Sequence, residues 1–228
     1  MARPIVHICF DTETAALGER AALLSISALP FVMPSEQEGT LQTLGNKADE
    51  WVMTLAQHSH FSANINATSC VMAGMDFDPA TVKFWSEREP EAKMQFVTQP
   101  AVSLREAIES FIAYVADIKA TFDCDVRLWC QGTDFDVPKL RYCATTLLGI
   151  PEKSLPWKYN QVCDARTYIV ENLALLFGRK EGTKAIYADI PAPAEEWTKH
   201  DALSDVKRTI HNIVSVNKML TEKLTVNS

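Results

Sequence analysis

The chain has 228 residues, 47% of them hydrophobic, and a formal net charge of −7 at pH 7. That length and apolar content can bury one substantial core without a second, so a single domain over residues 1–228 is expected. The acidic balance, with no Lys/Arg run, argues against a protein that grips long tracts of nucleic acid through many phosphate contacts.

From the N-terminus, IVHICF is an apolar, β-branched run that predicts a strand from Ile5 to Asp11. Residues i and i+2 of a strand share a face, so Asp11 and Glu13 point the same way. Two carboxylates at the end of a buried strand repel each other and lose hydration, and a hard divalent cation relieves both problems. The competing reading of Asp-Thr-Glu-Thr is a solvated, helix-capping turn. The most apolar run, Ala21 to Met33, is too short to cross a bilayer and follows Glu19-Arg20 rather than a signal-peptide start. It predicts a buried second strand, Leu23 to Val32, and a cytoplasmic protein that no membrane holds. The segment from Ser35 to His60 resembles nothing familiar, and His58 and His60 within it read as loop residues rather than metal ligands.

A third strand is expected at Phe61 to Ile65, then helices at Pro79 to Glu87 and Ser103 to Thr121, and a central strand at Val126 to Gln131. GTDFDVPKL follows, with Asp134 and Asp136 both available; Pro138 suits an early helix position that puts Asp136 near the start of a helix running to Leu148. A short strand, Tyr159 to Cys163, a helix, Ala165 to Phe177, and a terminal helix, Ala202 to Leu224, complete the order. His200 lies just ahead of that last helix and Asp205 in its first turn or two, where a carboxylate and an imidazole can overhang one place. With an unperturbed pKa of about 6.5, histidine is suited to take a proton from water near neutral pH. A capping aspartate beside a surface histidine is the plainer alternative. The six cysteines show no C-x-x-C spacing and read as small buried hydrophobes.

Taken together and in order, the three islands resemble the DEDD superfamily of 3′ to 5′ exonucleases in its histidine-containing (DEDDh, DnaQ-like) branch. The first motif is Asp-x-Glu at Asp11 and Glu13, the second Phe-Asp at Phe135 and Asp136, and the third His-x-Ala-x-x-Asp at His200, Ala202 and Asp205. The resemblance implies an α/β, ribonuclease H-like fold: a mixed five-stranded sheet, with an antiparallel meander of three strands plus two further strands, flanked by helices. It also implies that Asp11, Glu13, Asp136 and Asp205 ligate two Mg²⁺ or Mn²⁺ ions, with His200 as general base. The absence of a Gly-rich phosphate loop, a Ser-x-x-Lys and a nucleophile elbow agrees with hydrolysis that forms no covalent intermediate.

Two further segments resemble the branch that joins exonuclease VIII-like and phage exonucleases with a group of bacterial exoribonucleases. They are FDPATVKFWSEREPEAK, where Phe84 replaces a tryptophan, and CDARTYI at Asp164, Arg166 and Thr167. Trp85 reads equally as a base-stacking or a core residue. Arg166 reads as a phosphate contact or, preferably, a partner of Asp164 or a helix-face glutamate. Thr12, Asp134 and Phe135 complete the candidate substrate contacts.

The resulting expectation is a metal-dependent 3′ to 5′ exonuclease that acts on the 3′ end of a single strand or overhang and releases nucleoside 5′-monophosphates. DNA is favoured over RNA, phage origin and a homodimer are entertained, and distributive, salt-sensitive action follows from the acidic charge. The alternatives are a nucleic-acid-binding protein that keeps the fold without catalysis, and an oligoribonuclease-like enzyme for short oligomers.

Overall fold

A computed structural model describes residues 3–33, 60–98, 100–194 and 197–226. The expectations for the Ser35–His60 segment, including His58, lie outside the described residues except at His60. Strand β1 (Ile5–Thr14) runs through the middle of the sheet, antiparallel to β2 (Leu23–Phe31) on one side and parallel to β5 (Asp125–Cys130) on the other. Beyond β2 lies β3 (Phe61–Ile65), antiparallel to it, and beyond β5 lies β6 (Val162–Asp164), parallel to it. This is the mixed ribonuclease H-like sheet, with one correction. Among the described residues the sheet has six strands rather than five, because Ala101–Val102 adds a parallel edge strand, β4, to β3. Two residues are too few for an alternating pattern to reveal.

The first helices are α1 (Ala67–Met72), α2 (Pro79–Ser86) and α3 (Pro90–Thr98). Side chains that accept from otherwise orphaned N–H groups start two of them: Asn66 accepts from Thr68 N, and Asp78 accepts from Ala80 N ahead of Pro79. The long helix α4 (Leu104–Thr121) is capped by Ser103, which accepts from Glu106 N, and α6 (Ala165–Phe177) by Asp164, which accepts from Thr167 N. Between them, the expected helix from Asp136 to Leu148 divides. It is α-helical as α5 (Asp136–Arg141) and continues as a π-helix over Tyr142–Leu147. The expected strand at Tyr159 is a 3₁₀ turn, Tyr159–Gln161, with pairing delayed to Val162. After a short α7 (Thr183–Ile186), the amphipathic α8 (Ala202–Val226) closes the fold. No helix among the described residues is long and apolar enough to cross a membrane.

Alternation along β1 divides the core into two layers. Val6, Ile8 and Phe10 face the cluster built with Ile108, Phe111 and Val115 of α4. Cys9 faces the cluster built with Ile169 and Leu173 of α6 and Val206, Ile213 and Val216 of α8. His7, on the second face and fully buried, has its Nδ1 accepting from Trp129 Nε1 at 2.7 Å. Five of the six cysteines are buried and all six are free thiols, as small hydrophobes should be.

Candidate active site

The same alternation delivers the acidic site. Continuing past Cys9, Asp11 and Glu13 emerge on the face covered by α8, and Asp205 descends to them from the first turn of that helix. Carboxylate oxygens of these three residues lie within 4.8 Å of one another. Asp136 arrives from the opposite layer. Its carboxylate, 3% exposed at the start of α5, accepts a 2.5 Å hydrogen bond from Thr12, the residue between the two β1 acids. All four acids line one cleft of about 460 Å³, together with Thr12, Phe84, Trp85, Phe135 and His200. A larger cavity of about 900 Å³, beneath Phe10, Trp157 and Leu140, contains none of these acids.

Concentrating like charge away from water has a clear electrostatic signature. Burial, then the neighbouring Asp136, Glu13 and Asp205, hold Asp11 well above the ordinary carboxylate range. Burial and the nearby aspartates raise Glu13 to about 8. Asp136 is raised by burial to about 6, the Thr12 hydroxyl and the Lys139 charge opposing the shift. Asp205 is raised by burial, moderated by Arg208, which pairs with it at 2.9 Å. Glu13 Oε1 is buried with no hydrogen-bond partner among the described residues. An unsatisfied buried oxygen facing two further carboxylates is the donor set that a hard divalent cation takes.

Sequence context explains how Asp136 reaches the cleft. After β5 the chain turns at Gly132, whose φ of +108° is one a side chain rarely tolerates. The turn is fastened by Asp164, which accepts from Thr133 N at 2.8 Å, and by the Phe135 N–H donating to Gly132 O at 3.0 Å. Asp134 is exposed and outside the cleft lining, whereas Asp136 faces inward. Lys139, one turn on, was not singled out by motif. It is 1% exposed, donates to Phe135 O at 2.8 Å, and sits 3.1 Å above the Phe135 ring. Burial lowers its pKa to about 8, and Asp136 and Asp134 partly restore it. Only its position in the fold, not a pattern of residue types, reveals this buried cation.

His200 stands at the mouth. Its ring packs edge-on against Phe84 at 5.1 Å and Trp85 at 6.4 Å, and its backbone N–H donates to Asp205 Oδ2 at 3.1 Å. Burial lowers its pKa, Asp205 opposing the shift, so the neutral imidazole predominates near pH 7. Trp85 is half-buried, donates from Nε1 to Thr14 O at 2.9 Å, and packs edge-on against Phe96, so its ring is a fixed wall of the cleft. Arg166 is exposed and outside the cleft lining; it donates to Gln131 O at 3.4 Å, and its charge favours the ionised forms of Asp164 and Asp136.

No curated protein matches the sequence. Among solved structures, the chain is similar to the nuclease domain of 3′hExo, a DEDDh family member, bound to rAMP. The two share 11% identity with a TM-score of 0.48, over 95% of this chain and 92% of that one. The domain family described as 3′-5′ exoribonuclease Rv2179c-like matches residues 6–217, a span that includes all of β1 but Ile5, the Phe135-Asp136 turn and the first turns of α8. The chain therefore belongs to the Rv2179c-like 3′-5′ exoribonuclease domain family.

Proposed function

We propose that this protein hydrolyses RNA from its 3′ end, releasing nucleoside 5′-monophosphates, with Asp11, Glu13, Asp136 and Asp205 holding two divalent cations and His200 acting as general base. The observation that carries this reading is the meeting of Asp11, Glu13 and Asp205 within 4.8 Å, with Glu13 Oε1 left unsatisfied. The DNA preference drawn from the sequence has no feature of the cleft behind it, and the family's description as exoribonucleases favours RNA.

When bound, Mg²⁺ or Mn²⁺ supplies a lowered pKa for water and stabilises charge on the phosphoryl and departing 3′ oxygens. The chain's own groups do the rest. The four carboxylates would hold the cations at the floor of the cleft, where the scissile phosphate would meet them. His200, neutral near pH 7, accepts the proton of the attacking water and stays oriented through its edge contacts with Phe84 and Trp85. Phe84, Trp85 and Phe135 supply an apolar wall suited to the terminal nucleoside, and Thr12 holds Asp136 in register with β1. Asp134 and Arg166 lie outside the cleft, where Arg166 donates to Gln131 O just after β5 and favours the ionised form of Asp164 at the start of α6.

With a net charge of −7, the protein grips few nucleotides at a time, and distributive action follows. The test is digestion of 5′-labelled RNA and DNA strands, with and without a 3′-phosphate, in Mg²⁺, Mn²⁺ or EDTA. The expected result is a metal-dependent ladder from the free 3′ end of RNA that disappears in Asp11→Ala and His200→Ala. Equal cleavage by the wild type and Asp11→Ala would overturn the assignment, and faster cleavage of DNA would reverse the choice of sugar.

A further inference from the structure

His200 has a backbone φ of +60°, the left-handed region that a non-glycine residue keeps only where its surroundings enforce it. Its N–H is held by Asp205. Its carbonyl is held from another part of the chain: Gln95, in α3, donates from Nε2 to His200 O at 2.5 Å, and Gln95 Oε1 accepts from Ala202 N at 3.3 Å. One amide thus brackets the His200–Ala202 segment on both sides.

The remaining bonds of Gln95 anchor that bracket to the sheet. Its Nε2 also donates to Ala92 O at 2.8 Å, its Oε1 also accepts from Ser25 Oγ of β2 at 3.2 Å, and its own carbonyl accepts from Asn64 Nδ2 of β3. Two donor and two acceptor positions of the side-chain amide are therefore all occupied. Ser25 and Asn64 are buried, so the anchor is rigid. Nothing in the MQFVT segment marks Gln95 as part of a site; its role arises from where α3 lies.

We propose that Gln95 is a positioning residue for the hydrolysis: its side-chain amide locks the His200 backbone in the conformation that presents the imidazole to the acidic cleft. The proposal rests on the reading of His200 as general base. Gln95 bonds none of the four carboxylates and, of the residues lining the cleft, only His200, so its loss should affect the proton-transfer step and spare metal and substrate binding.

The experiment is a double-mutant cycle on single-strand RNA in Mg²⁺, using wild type, Gln95→Met, His200→Ala and the double variant. Single-turnover conditions keep slow variants measurable. Because a positioned base contributes about 10²–10⁴-fold, Gln95→Met should lower the rate by about tenfold or more, with KM and calorimetric Mn²⁺ affinity changed less than about twofold. In the His200→Ala background the same change should cost nothing further. Gln95→Glu keeps the acceptor oxygen and the side-chain length but cannot donate to His200 O, and it should show the same pattern should the methionine variant fold poorly. A wild-type rate in both Gln95 variants beside an impaired His200→Ala would overturn this proposal alone, as would an equal loss in both backgrounds. A fully active His200→Ala would overturn the reading of His200 itself, and this proposal with it.

Discussion

Thr12 and Asp136, separated by more than half of the sequence, are joined by a 2.5 Å hydrogen bond that ties the acid standing apart from the cluster to the strand carrying two of its members. The bond crosses between the two layers of the fold: Asp11 and Glu13 belong to the α8 side of β1, and Thr12 meets Asp136 on the α5 side. Thr12→Val keeps the shape and the backbone donor but takes the hydroxyl donor from a buried carboxylate. That should cost about 1–3 kcal/mol of stability and raise the pKa of Asp136 further. The rate should fall by roughly tenfold, whereas Thr12→Ser should keep most of it; thermal melts and initial rates in Mg²⁺ decide the matter.

The choice between the two aspartates of GTDFDVPKL follows from their surroundings. Asp134→Asn changes an exposed group outside the cleft and should leave the rate within about threefold of wild type, as surface changes usually do. Asp136→Asn removes an inward-facing carboxylate and should abolish cleavage while the melt is kept or improved, because a raised, buried acid is replaced by a neutral isostere. An inert Asp134→Asn beside an active Asp136→Asn would reverse the assignment.

Removing metal should make stability fall with pH in a defined window. Folded-state pKa values raised above the unfolded ones contribute stability below the unfolded values, and it is lost as pH rises through the folded ones. Glu13 is raised from 4.5 to about 8 and Asp136 from 3.8 to about 6. In EDTA, the midpoint of thermal unfolding should therefore drop progressively between about pH 4 and pH 8, each kcal/mol corresponding to about 2–4 °C in a domain of this size. Mg²⁺ or Mn²⁺ should restore the loss, most strongly at pH 8. A pH-independent melt in EDTA would show that the acids are not in electrostatic conflict.

Trp85 carries two separable contributions. Trp85→Phe keeps a ring beside His200 and Phe96 but loses the hydrogen bond to Thr14 O, which should cost about 1 kcal/mol and little activity. Trp85→Ala removes the wall itself and should cost about 2–4 kcal/mol together with a rise in KM for RNA. Equal KM values in the two variants would assign Trp85 to the core alone.

Much of this arrangement was legible in the residues, and the exceptions have physical causes. The order of strands, and the placing of Asp11, Glu13 and Asp205 on one side, follow from a period-2 pattern and a helix start. The edge strand at Ala101–Val102 and the π-helical turn after Arg141 depend on long-range pairing and packing that no local period encodes. Gln95 was hidden because its amide finds partners in distant segments, and Lys139, which donates one turn back to Phe135 O, because only the packing around α5 buries it; neither residue type signals a site by itself.

The parts of the acidic cluster come from opposite ends of the sequence: β1 supplies Asp11 and Glu13, and the first turn of α8 supplies Asp205, with His200 immediately before it. Synthesis delivers every strand of the described sheet, with Asp11, Glu13 and Asp136, before this last segment, so three of the five residues proposed for catalysis precede the other two. On the proposed mechanism, a chain that stops short of His200 lacks both the general base and one metal ligand, and so cannot yet cut the messenger that encodes it.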